Sequence, residues 1–132
     1  MSRLPDVIER LTPQGTSAPA VWRIESRSAP VDAIADWMGE NRASIAAALH
    51  ANGALILRGF PQLQRAQDYE LVISAAFPQL RDYVGGSSPR TRLLVQITTA
   101  TETPPDWSIP LHQEMAYTTN GPHRVAFLLG IG

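Results

Sequence analysis

Residues 42–60 read RASIAAALHANGALILRGF, and this stretch decides the fold class. The alanine-rich first part predicts a helix over 42–51. Asn52-Gly53 matches the left-handed stop that ends many helices. Residues 54–57 are then a short apolar run of strand length, which we expect to be buried on both faces. A helix that is followed at once by a strand indicates a domain of mixed secondary structure.

On the N-terminal side, residues 1–29 contain prolines and no sustained period, so we expect an irregular lead-in with a short edge strand at Trp22 and Ile24. Pro30 suits a first helical turn. The helix that follows has an apolar face of Ile34, Ala35, Trp37 and Met38 and ends near Gly39 and Asn41.

On the C-terminal side, helical spacing of apolar residues predicts a third helix over 66–77, which Pro78 closes. A glycine-rich loop covers 83–90. Strands are predicted over 93–97, over 108–114, which contains the most informative residues, and over the apolar segment 124–131. Helices come first and strands later, so the predicted fold class is α+β with a β-rich C-terminal half.

Composition excludes several classes of protein. Lys and Arg number 11 and Asp and Glu number 12, so the net charge of −1 gives no long-range attraction to nucleic acid or to an anionic membrane. The sequence has no cysteine, and therefore neither a disulfide framework nor a thiolate metal site. With no signal-peptide pattern and no apolar run of membrane-spanning length, we expect a cytoplasmic protein. Its 132 residues are enough for one domain and not for two.

His112 and Glu114 are the residues most suggestive of chemistry. In a strand, residues two apart point to the same face, so an imidazole and a carboxylate there could take adjacent positions on a metal. A distant second His would complete the two-His-one-carboxylate triad that binds Fe(II) and leaves positions open. The alternative is an ion pair or an exposed polar face on an edge strand.

The other candidates are weaker. His123 follows a turn and is better explained by a loop role, whereas His50 lies near a helix C-terminus, where an imidazolium is favourable. The glycine-rich loop lacks the spacing of a phosphate-binding loop. No nucleophile elbow supports hydrolase chemistry.

Three segments resemble the TauD/TfdA-like family (taurine dioxygenase and relatives), especially its clavaminate-synthase-like branch. They are residues 53–60, the glycine-rich loop over 83–90, and the segment 98–117 that contains His112 and Glu114. Their order and spacing also match. The resemblance covers roughly residues 20–128 but corresponds to only the first third to half of a usual family member.

The resemblance implies an Fe(II)- and 2-oxoglutarate-dependent oxygenase, with His112 and Glu114 as iron ligands and with Thr98, Thr101 and Tyr117 lining the substrate pocket. Ordinary loop polarity and a packed aromatic ring are the alternative for these three. The resemblance to the family also implies helices packed on the start of a double-stranded β-helix, or jelly-roll. We therefore expect one partial domain over 1–132, with the lead-in over 1–29, helices and one strand over 30–79, and the first β-helix strands over 80–132.

Family members supply a second His and a 2-oxoglutarate-binding Arg later in their chains, and neither has a counterpart here. We therefore expect an oxidoreductase sequence that acts on a small organic substrate but is truncated and not competent alone. The alternative is a non-catalytic remnant that self-associates through its exposed C-terminal strand.

Overall fold

The computed structural model describes residues 9–10, 19–84, 89–100 and 102–130. The chain divides into two compact units, the first ending at Leu80 and the second beginning at Arg81. All named elements belong to the first unit: β1 (Glu9–Arg10), β2 (Ala20–Arg23), α1 (Val31–Glu40), α2 (Arg42–Asn52), β3 (Leu55–Arg58) and α3 (Ala66–Ala76).

The helix boundaries follow local chemistry and confirm the prediction. Asn41 separates α1 from α2, and both its backbone N–H and its side-chain amide donate to the Trp37 carbonyl, at 3.0 and 2.9 Å. Gly53 ends α2 in the left-handed conformation at φ 72°, and its N–H donates to the Leu49 carbonyl at 2.9 Å. A residue without a Cβ adopts this conformation without steric cost.

The third helix also lies where it was predicted, one residue shorter at its C-terminal end. At its start, the Asp68 carboxylate accepts the Arg65 backbone N–H at 3.2 Å and lies 2.6 Å from the Arg65 guanidinium. This carboxylate satisfies a backbone donor that the first helical turn leaves without a partner.

The sheet has the order β1-β2-β3. β1 pairs antiparallel with β2, and β2 pairs parallel with β3 in a register that joins Ala20 to Leu55 and Arg23 to Arg58. Parallel neighbours need a long crossover, and here α1 and α2 supply it.

The core of the first unit lies between the sheet and the helices. Trp22 and Ile24 contribute to it from the β2 segment, Ile34 and Trp37 from α1, and Val72 from α3. α1 packs on α3. The second helix is also tied to the third, because Nη2 of Arg42 at the start of α2 donates to the Ala75 carbonyl of α3 at 2.6 Å.

Two predictions for the sheet are wrong. Trp22 lies in the middle strand β2 and not in an edge strand, because the short β1 covers its other side. β3 is not buried on both faces: its side chains alternate, and Ile56 is 41% exposed. A strand with the core on one side only shows this period of two.

The strands predicted over 93–97, 108–114 and 124–131 are absent among the described residues, which include all of these ranges except Ile131. Only an isolated bridge joins Arg92 to Thr98. The Leu93 and Leu94 N–H groups both donate to the Ile97 carbonyl, at 2.9 and 3.0 Å, which makes a tight turn. Apolar residues favour a strand only where a neighbouring strand satisfies the backbone, and this unit provides none in its described part.

The first unit mixes helices and a sheet and is compatible with the α+β class, whereas the jelly-roll and the single partial domain stay predictions. In the described ranges, no helix is long and apolar enough to cross a membrane.

Candidate functional site

The site is built on an irregular segment of the second unit. Residues 107–113 have no regular secondary structure, and a turn over 114–117 follows. Met115 has φ 53°, an uncommon left-handed conformation for a residue with a side chain. Its carbonyl accepts the Thr118 N–H at 3.0 Å and the Thr118 hydroxyl at 3.1 Å. The chain therefore reverses directly after Glu114.

A backbone carbonyl orients the His112 ring. Nδ1 lies 2.9 Å from the Pro110 carbonyl oxygen. Since a carbonyl oxygen can only accept, Nδ1 carries the proton in this hydrogen bond, and in a neutral ring the lone pair is then on Nε2. Many metal-binding histidines are held in this way, by a hydrogen bond on the nitrogen that does not bind the metal.

The lone-pair nitrogen of His112 faces Glu114. Nε2 lies 3.9 Å from Oε2 of that carboxylate. The His112 side chain is 59% exposed and the Glu114 side chain 20% exposed, so the pair is open to solvent on the histidine side. The prediction that a strand carries these residues is wrong, because the segment has no regular secondary structure. The prediction that their side chains lie close together is confirmed.

Arg90 and Tyr83, to which the sequence analysis assigned no role, complete the cluster. The Arg90 Nη2 donates to Oε1 of Glu114 at 2.9 Å. Its guanidinium carbon lies 4.2 Å from the centre of the Tyr83 ring, a cation–π distance. Burial raises the pKa of the Tyr83 hydroxyl, and Glu114 and a hydrogen bond with Tyr117 act in the same direction, against Arg90. The sequence did contain a signal for these two residues, since Tyr83 is the first and Arg90 the last residue of the glycine-rich loop.

The remaining candidates lie elsewhere or outside the described residues. Thr98 is the bridge partner of Arg92. Thr101 falls outside the described part of the chain. Tyr117 is one of the groups that raise the pKa of the Tyr83 hydroxyl. His50, in the last turn of α2, and His123 are both exposed.

The donors fit a divalent transition metal in kind. An imidazole nitrogen and a carboxylate oxygen face each other, and this mixed set suits Fe(II) and its neighbours. These two side chains are the donors of the cluster, and the described ranges contain no group of three or more histidine or acidic residues that could hold a metal. The arrangement can therefore supply part of a coordination sphere.

The sequence matches no family model. Over 80 residues it is 44% identical to a clavaminate synthase-like protein of Arabidopsis thaliana, and these residues are 60% of this chain and 24% of the plant protein. By sequence, this chain is thus similar to part of a clavaminate synthase-like protein and spans about a quarter of that relative's length.

Proposed function

We propose that this chain carries the first two iron ligands of an Fe(II)- and 2-oxoglutarate-dependent oxygenase of the TauD/TfdA-like type, which oxidises a small organic substrate. The observation that carries the proposal is the placement of the His112 Nε2 lone pair opposite Oε2 of Glu114, at 3.9 Å. The similarity to a clavaminate synthase-like protein supports the same family.

Each ligand has a defined task. His112 offers Nε2 because the Pro110 carbonyl holds the other ring nitrogen. Glu114 offers Oε2, the carboxylate oxygen that lies 3.9 Å from His112 Nε2. When bound, Fe(II) in a two-His-one-carboxylate site keeps open positions for oxygen and the co-substrate and supplies the oxidising chemistry.

The substrate pocket is a further part of the proposal. Tyr117, which helps to raise the pKa of Tyr83, is the first candidate, and we propose Thr98 and Thr101 as its companions. Loops of this kind decide the substrate in a shared fold, so we propose no class narrower than a small organic molecule.

Titration calorimetry of the 132-residue chain with Ni(II), a redox-stable probe, tests the metal site. His112→Ala and Glu114→Ala should each weaken binding by at least about tenfold, because losing a ligand costs no less than losing one of its supporting partners. His123→Ala is the matched control and should bind like the wild type, since its exposed ring is not in the cluster. Equal affinities in all four proteins would refute the proposal.

A turnover assay adds a second test. With Fe(II), ascorbate, oxygen and 2-oxoglutarate, the 132-residue chain should form no succinate above the metal-only control, because its cluster provides two of the three protein ligands. Succinate formation that His123→Ala abolishes would show that His123 supplies the third ligand and would contradict this prediction.

A second candidate function is self-association without catalysis. The observation that favours it is the exposure of large apolar side chains in the second unit, where Leu129 is 92% and Phe127 72% exposed. Exposed apolar surface of this kind often marks a contact with another chain. We propose a second copy of this chain as the partner, and a monomer at all concentrations in sedimentation experiments would contradict this.

A further inference from the structure

The two oxygens of Glu114 have different neighbours. Oε1 accepts a hydrogen bond from Arg90 Nη2 at 2.9 Å, whereas Oε2 lies 3.9 Å from His112 Nε2. A carboxylate whose first oxygen is engaged in a charge-assisted hydrogen bond presents mainly its second oxygen to another partner.

Arg90 is itself held in place. Its side chain is only 13% exposed, and its guanidinium lies over the Tyr83 ring at 4.2 Å. The guanidinium is therefore fixed on one side by a ring and on the other by the carboxylate.

We infer that Arg90 is a positioning residue that makes Glu114 a one-oxygen ligand and directs Oε2 toward the cation held by His112. This inference rests on the proposed function. A one-oxygen carboxylate occupies a single coordination position, which leaves more of the metal open than a chelating carboxylate would.

A plain affinity measurement cannot test this role, because removing the Arg90 charge also removes its repulsion of the cation. The ratio of two dissociation constants avoids the problem, since Ni(II) and Mn(II) carry the same charge. Ni(II) prefers imidazole nitrogen and Mn(II) prefers carboxylate oxygen. A Glu114 that is free to chelate with both oxygens therefore favours Mn(II) relative to Ni(II).

The decisive variant is Arg90→Lys. The lysine ammonium reaches about as far as the guanidinium carbon, which leaves it one bond, ~1.3 Å, short of the Nη2 position that contacts Oε1. The charge is kept while the hydrogen bond is lost. Arg90→Met, which removes both, is the second variant, and circular dichroism establishes that each variant is folded.

Arg92→Met is the matched control. Arg92 lies in the same segment and has the same charge, but its partner is Asp82 at 3.6 Å, and its side chain is 57% exposed. Any effect of net charge or of the segment's general stability appears in this control too.

The experiment measures Ni(II) and Mn(II) binding to the full 132-residue chain by titration calorimetry. The ratio of the Mn(II) to the Ni(II) dissociation constant should fall by roughly tenfold in Arg90→Lys and in Arg90→Met, a change in the range found for partners that orient metal ligands. It should stay at the wild-type value in Arg92→Met.

The possible failures are distinguishable. A wild-type ratio in folded Arg90→Lys would overturn the positioning role and leave the proposed function intact. Wild-type protein that binds neither metal, or binds both independently of His112, would overturn the proposed function and this inference with it.

Discussion

Replacing Gly59 by alanine is expected to destabilise the first unit more than any other glycine substitution in the described chain. Gly59 has φ 104°, and a Cβ there would lie 1.9 Å from the Ile24 carbonyl oxygen and 3.0 Å from its carbon. The obstacle is the backbone of a core residue that is 1% exposed, so no side-chain rotation relieves it.

The cost follows from the contacts. A positive φ costs an L-residue roughly 1–2 kcal/mol. Separating the segments to admit the Cβ endangers two hydrogen bonds, from Ser26 Oγ to the Gly59 carbonyl and from the Ile24 N–H to the Arg58 carbonyl, each contributing about 0.5–1.5 kcal/mol. We expect a loss of about 2–5 kcal/mol, a large part of the ~5–15 kcal/mol that stabilises a typical domain.

Urea unfolding followed by tryptophan fluorescence measures this loss, since Trp22 and Trp37 are 5% and 4% exposed and report on the first unit. Gly53→Ala is the control for backbone strain: its φ is 72°, but a Cβ would meet nothing within 4 Å, so we expect a loss of only about 1–2 kcal/mol.

Gly130 has no positive φ, and a Cβ there would meet nothing within 4 Å, so Gly130→Ala should change the free energy of unfolding by less than ~0.5 kcal/mol. The reasoning fails if Gly59→Ala is no less stable than Gly53→Ala, because the contact with Ile24 would then cost nothing.

Two further predictions concern other parts of the chain. The hydrogen bond from the Arg65 side chain holds the pKa of the Asp68 carboxyl below its usual range. The ionised Asp68 therefore stabilises the fold fully at pH values above the ordinary carboxyl pKa of about 3.9, and this stabilisation is lost as the pH falls through the lowered pKa of the folded protein. Urea unfolding of Asp68→Asn should therefore show a deficit at pH 7 that disappears in acid, and a deficit independent of pH would contradict this. If the exposed apolar residues bind a second copy, the double variant Phe127→Ser with Leu129→Ser should weaken self-association in sedimentation experiments by at least about tenfold. The reason is that two large apolar side chains contribute about 1.5–3 kcal/mol each when buried. An unchanged association constant would contradict this prediction.

The sequence by itself determined the features that depend on neighbouring residues. The limits of α1, α2 and α3 and the left-handed stop at Gly53 arise from apolar spacing, from proline and from a missing Cβ, all of which are readable locally. The closeness of His112 and Glu114 is also local, since only two positions separate them along the chain, and it is present although no strand carries them.

Only the tertiary structure decided which distant segments meet. An apolar run does not name its partner, so the sequence could neither place β2 between β1 and β3 nor show that residues 93–97, 108–114 and 124–130 remain outside any named strand. The pairing of Arg90 with Glu114 joins residues 24 positions apart, and the need for glycine at position 59 comes from the Ile24 carbonyl. Both depend on how the chain returns to itself, which local patterns do not encode.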